Sequence, residues 1–292
     1  MQEQPASLSD LRREVDSVDD AVHDLLMRRA ALSDQIAQHP DRLSEEGTVV
    51  SRPARKAELL RRLVARHSGS FPMRSLVRVW CEILATTSVQ KGAMHVYAGD
   101  GAALYRDVAR TYFGSLMPMT SHASATAVLH ACSDTPSAMG VVPLVDSGEE
   151  GANWWTHLAP AGHPGPRIAA ILPFISRDGG EEPFPQAFAI GSVEQEATGN
   201  DTTLLLLESD GDLSRTRLQS FLQQAGFDAH LLAAAGGGGQ GASQLLLANR
   251  GFVGAEDPRL AAFVAKAGDA NVRLAPVGGY ANPLDDNPES TK

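Results

Sequence analysis

The sequence predicts a multi-domain fold: an all-α helical domain, then an α/β domain, then a ferredoxin-like βαββαβ domain. Three observations predict it. Residues 7–92 carry apolar side chains at steps of three and four, the period of helices packed on helices. From 94 to 195 the pattern alternates between strands and helices. Residues 201–282 then run strand, helix, strand, strand, helix, strand, and 283–292 form a polar tail predicted to be disordered.

The first helix is read from its stripe: Leu11, Val15, Val18, Val22, Leu25, Leu32 and Ile36, with Arg29 on the same line. Ser7 or Ser9 can cap it, and "HPDR" stops it near Gln38. Pro53 suits the first turn of the second helix, "ARKAELLRRLVARH", and "SGSFP" breaks the chain again. A third helix runs from about Met73 to Lys91, with Leu76, Trp80, Ile83 and Thr87 on one face. One helix much longer than its neighbours leaves an apolar seam that a single chain cannot cover, which implies a homodimer.

In the middle region, "MHVYAG", "AMGVVPLV", "RIAAILPFI" and "AFAIGSV" read as strands. "AALYRDVARTYFG" and "SATAVLHACSD" read as helices, and "NWWTHLA" as a short one. Trp154 and Trp155 are expected in the core rather than on a ligand shelf. In the last region "TTLLLLES", "DAHLLAAA", "QLLLANRG" and "NVRLAPVGG" are the strands; "DLSRTRLQSFLQQAG" and "DPRLAAFVAKAG" are the helices. The glycine run 236–241 is a linker: it lacks the Lys-Ser/Thr of a phosphate loop and does not lead from a strand into a helix.

The net charge of −10 disfavours a nucleic-acid or membrane-surface role. Yet residues 52–78 are strongly basic, with Glu58 as their one acid, which suits a small anionic ligand. Two cysteines, Cys81 and Cys132, have no zinc or disulfide-framework spacing and point to a reducing, cytoplasmic compartment. The first residues lack a signal-peptide core, and no stretch reaches transmembrane length. His39, His67, His122, His130 and His157 show no helical metal-ligand spacing, so neither metal nor cofactor is expected.

The chemistry sits on the helices. Arg29 lies on the stripe of the first, Arg12 flanks its start, and Arg55 shares the apolar face of the second. Thr87 and Lys91 continue the stripe of the third. Cations converging on faces that should be buried, without matching acids, suggest an anion site, and arginine suits bidentate carboxylate recognition. A small dicarboxylate is the expected ligand.

These residues carry a resemblance. "LSDLRREVDSVDDAVHDLLMRRAALSDQIA", "RPARKAELLRRL" and "WCEILATTSVQ" together resemble the all-helical class of chorismate mutase over about residues 7–92. That implies an active site inside an intertwined dimer, with Arg12 reaching into the partner's site and Arg29 and Arg55 holding the carboxylates of chorismate. The implied reaction is pericyclic. It needs no nucleophile, only a grip on the reactive conformer and stabilisation of charge on the breaking ether oxygen.

The sequence departs from the family in places. Pro40 stands where the family has a lysine aimed at the ether oxygen, and Lys56 where it has a glutamate. The family's glutamine falls at Gln90 or Lys91, and Lys56 or Lys91 is the candidate cation for the ether oxygen. The rest of the chain resembles a reduced prephenate dehydratase with an amino-acid-binding ACT region. "GVVPLVDSGEEG" carries Asp146 where an asparagine is expected, and "PQAFAIG" lacks the catalytic Thr-Arg-Phe triplet, so dehydratase activity is not expected. The loop "SDGDLS" could meet an aromatic amino-acid effector. The alternative reading is a weak or inactive mutase fold acting as an aromatic-amino-acid-sensing regulator.

Overall fold

The structure is a computed structural model that describes residues 7–39, 52–87, 93–99, 102–145, 152–175, 186–210, 214–236, 243–267 and 272–284. Pro40, Gln90, Lys91, Asp146, the glycines beyond Gly236 up to 241, most of the "SDGDLS" loop and the tail from 285 lie outside the described residues.

Two compact units are present: Met1–Gly47 with Thr86–Val89, and Thr48–Ala85 with Gln90–Lys292. The first contains helix α1 (Leu8–Ala37), which begins at a Ser7 cap where the Asp10 amide donates to Ser7 Oγ at 3.2 Å. Its stripe is open. Leu11, Val15, Val18, Val22, Leu32 and Ile36 are exposed, and Leu25 is 63% exposed.

In the second unit, α2 (Pro53–Ala65) starts with Pro53 in its first turn, where the missing N–H costs nothing. Helix α3 spans Met73–Thr87. Ala57 and Leu60 of α2 and Val77 and Cys81 of α3 are buried in one core with Met94, Tyr112 and Val141. The α/β segment therefore covers the Ala57–Leu60 face of α2 and the Val77–Cys81 side of α3, while Leu76, Trp80 and Ile83, the face expected from the sequence, are half-buried.

That segment opens with β1 (Met94–Tyr97), α4 (Ala102–Phe113), β2 (Met119–His122), α5 (Ala125–Asp134) and β3 (Met139–Pro143). A 3₁₀ helix (Ala152–His157), β4 (Arg167–Leu172) and β5 (Ala187–Gly191) follow. Trp154 and Trp155 of the 3₁₀ helix are core residues, 2% and 0% exposed. Strand β2 escapes a reading of the sequence because its four residues, Met-Thr-Ser-His, show no apolar alternation.

The chain ends in β6 (Asp201–Ser209), α6 (Arg215–Ala225), β7 (Ala229–Ala235), β8 (Ser243–Arg250), α7 (Pro258–Ala267) and β9 (Val272–Ala281), the expected βαββαβ order. Leu205, Leu207 and Leu247 share a core with Leu218, Leu222 and Phe263 of α6 and α7, while Leu204, Leu206 and Leu246 belong to the core of the other sheet face. Burial on both faces explains the unbroken run of leucines.

Among the described residues, nine strands form one sheet in the order β2-β1-β3-β5-β4-β9-β6-β8-β7. Its two halves meet where β4 runs beside β9, with Ile168 paired in parallel with Gly278, and just beyond both strands at a further parallel bridge, Ile175 with Leu284. Gly278 has φ +123°, and a Cβ there would lie 2.3 Å from the Ile168 nitrogen and oxygen, so the seam requires glycine.

Candidate active site

Arg29 sits on the α1 stripe between Leu25 and Leu32 and is half-buried, and desolvation pulls its guanidinium pKa down. Its carbonyl accepts from Ser33 Oγ at 3.1 Å. Arg12 is exposed on the same helix. A half-buried cation on an otherwise apolar line favours anionic company that offsets the lost hydration.

On α2, Arg55 is exposed and pairs with Glu58 at 3.4 Å. Its neighbour Lys56 turns the other way. The Lys56 ammonium donates to the carbonyl of Tyr112, at the C-terminal end of α4, and lies 3.7 Å from the centroid of the Tyr112 ring. A helix C-terminus carries unsatisfied carbonyls and partial negative charge, and the ring face is also electron-rich, so both attract the ammonium. Desolvation pulls the Lys56 pKa down; a hydrogen bond and charge interaction with the Cys81 thiol, and the Glu82 carboxylate, act in the opposite direction. Burial in turn raises the Cys81 thiol pKa, against the pull of Lys56.

The structure thus gives Arg55 and Lys56 different surroundings although they are adjacent in sequence. Thr87 is the last residue of α3, while Gln90 and Lys91 lie outside the described residues. One cation the sequence reading passed over is Arg61. Its guanidinium donates to Thr198 Oγ1 at 2.7 Å, the Asn200 carbonyl at 2.7 Å and the Asn282 carbonyl at 2.9 Å. A signal was available: Arg61 is four residues after Ala57 and one after Leu60, on the flank of the buried face.

Residues 11–91 match the family model described as chorismate mutase type II. That match covers the N-terminal helical segment, from α1 to the end of α3. Two curated relatives are similar to the chain, both bifunctional chorismate mutase/prephenate dehydratases. The one from Aquifex aeolicus (strain VF5) is 26% identical over 152 residues, covering 50% of this chain and 41% of that protein. The one from Pseudomonas aeruginosa is 26% identical over 149 residues, with the same two coverages. The match therefore spans about two fifths of the length of these curated relatives. Among solved structures, the prephenate dehydratase from Streptococcus mutans aligns with a TM-score of 0.44 at 14% identity, covering 66% of this chain and 99% of that one.

Within the matched segment, the arginines singled out by the stripe occupy α1 and α2, and no helix among the described residues is long and apolar enough to cross a membrane.

Proposed function

We propose that the chain rearranges chorismate to prephenate as a homodimer built through its helical segment. The observation that carries this reading is the chorismate mutase type II match over residues 11–91, with Arg12, Arg29 and Arg55 inside it. Arg29 and Arg55 hold the substrate carboxylates, and Arg12 serves the neighbouring subunit's site. Thr87 and Gln90 line the side facing the ether oxygen. Of the two candidate lysines, Lys91 is the one assigned to that oxygen, because the Lys56 ammonium is engaged by Tyr112. The open stripe on α1 supports the dimer: a row of exposed Leu and Val along a 30-residue helix is the kind of surface a second copy buries.

In this reading residues 7–92 are the mutase segment, 94–195 a reduced dehydratase-like segment and 201–282 an ACT-like segment for an aromatic amino-acid effector. The βαββαβ order supports the last assignment. No dehydration is assigned to the α/β segment, since β5 reads Ala-Phe-Ala-Ile-Gly where the catalytic triplet is expected. Two free, buried cysteines support a cytoplasmic setting.

The test is chorismate consumption by the full chain, with Arg29→Ala as the comparison. Saturable conversion to prephenate is expected, without onward formation of phenylpyruvate. Arg29→Ala should lower kcat/KM by about a hundredfold or more, since it removes a charged contact to the substrate. Equal turnover by the two proteins would remove Arg29 from the site.

A further inference from the structure

The cations of α2 divide by direction. At about 100° per residue, Lys56, Leu60 and Ala57 fall within an arc of about 100°, with Arg52 and Arg61 at its two edges. Arg55 projects about 150° from the centre of that arc. The contacts follow the wheel. Arg52 pairs with Glu196 at 2.6 Å, Lys56 meets the end of α4, and Leu60 is 1% exposed. Arg61 reaches both ends of the βαββαβ segment, before β6 and after β9.

That reception point is closely built. The Asn282 amide donates to the Asn200 carbonyl at 2.9 Å, and the Asn282 side chain donates to Asn200 Oδ1 at 2.7 Å. Thr202 Oγ1 donates to Asn282 Oδ1 at 2.7 Å. Asp201, 7% exposed, accepts from the Thr198 and Gly199 amides at 2.8 and 3.0 Å and also attracts the guanidinium. Arg61 therefore closes onto carbonyls whose positions are already fixed by other bonds.

We propose that Arg61 is a positioning residue: by clamping one edge of α2 to the joined ends of β6 and β9, it sets the rotation of the helix and hence where Arg55 presents its guanidinium. The inference rests on the mutase reading above for the role of Arg55. The lever is long enough to matter. A roll of about 10° moves a group about 6 Å from the helix axis by about 1 Å. A misplacement of about 1 Å can cost on the order of a hundredfold in rate.

The experiment is a double-mutant cycle on the full chain, read as kcat/KM for chorismate, together with hydrogen exchange across Pro53–Ala65. Arg61→Met should lower kcat/KM about tenfold in the wild-type background. In an Arg55→Ala background the same change should cost less than about twofold, because the group it positions is gone. Arg61→Lys, which keeps the charge but loses the fork, should recover part of the loss. Amide exchange should quicken in α2 and stay unchanged in β6 and β8. Equal losses in both backgrounds, or no loss at all, would overturn the proposal. If the wild-type chain does not turn over chorismate, the functional reading fails separately. Exchange then decides the clamp: selective quickening in α2 upholds it, and unchanged exchange overturns it.

Discussion

Helices α1 and α2 come from one family-matching segment and carry similar patterns, yet their apolar faces meet different fates. Leu25 of α1 is 63% exposed, whereas Leu60 of α2 is 1% exposed. The α1 stripe is open along its length, while α2 has its face filled by the α/β core and its edges held by Arg52, Lys56 and Arg61. Periodicity identifies a face that must be buried; it does not identify what buries it. The same distinction separates the cations: Arg29 interrupts an open apolar stripe, whereas Lys56 and Arg61 hold a helix to its own chain.

Aspartate at matched positions tests this contrast most sharply. Leu60→Asp places a charge in a filled core and should cost more than about 4 kcal/mol, enough to prevent cooperative folding. Leu25→Asp should leave the folded chain within about 0.5 kcal/mol by denaturant titration. It should, however, shift the assembly toward monomer in analytical ultracentrifugation. A dimer insensitive to Leu25→Asp would place the subunit contact elsewhere.

Lys56→Met is the next largest. The folded pKa of Lys56 lies below its ordinary 10.5, so between the two values the unfolded chain binds a proton that the folded chain does not. Stability from this group therefore rises with pH across that window, and Lys56→Met should lack the rise. Because the Cys81 thiol titrates in the opposite sense, both proteins should carry Cys81→Ala. Identical alkaline stability profiles would show that the ammonium is not enclosed. Arg52→Ala should do least: the pair with Glu196 leaves both side chains about half exposed, so a loss of about 0.5 kcal/mol or less is expected from thermal unfolding. A loss comparable to that from Leu60→Asp would mean that charge, rather than packing, holds α2.

Much of the fold was legible because its signals are local. Ser7 and Pro53 mark helix starts, and the leucines of β6 and β8 announce strands buried on both faces. The βαββαβ order follows from counting elements. What could not be read depends on partners far apart in sequence. The Ile168–Gly278 seam is one such case, since nothing near Gly278 indicates β4 as its neighbour. Lys56 is another: its residue type suggested a site cation, but its direction depends on where α4 ends. Arg61 resembles Arg62 in sequence and differs from it by a 100° turn of the helix.

The bond between Arg61 and Asn282 spans 221 residues. At about 5–20 residues per second, a ribosome needs on the order of 10–45 seconds to deliver Asn282 after Arg61 has been joined to the chain. During that interval α2 exists without its final fastening, and strand β9, which closes the sheet seam, has not been made. Helix α2 therefore waits for the last strand before its fastening is complete. A pause or truncation late in translation would reach back to the arginine-bearing helix near the beginning of the chain.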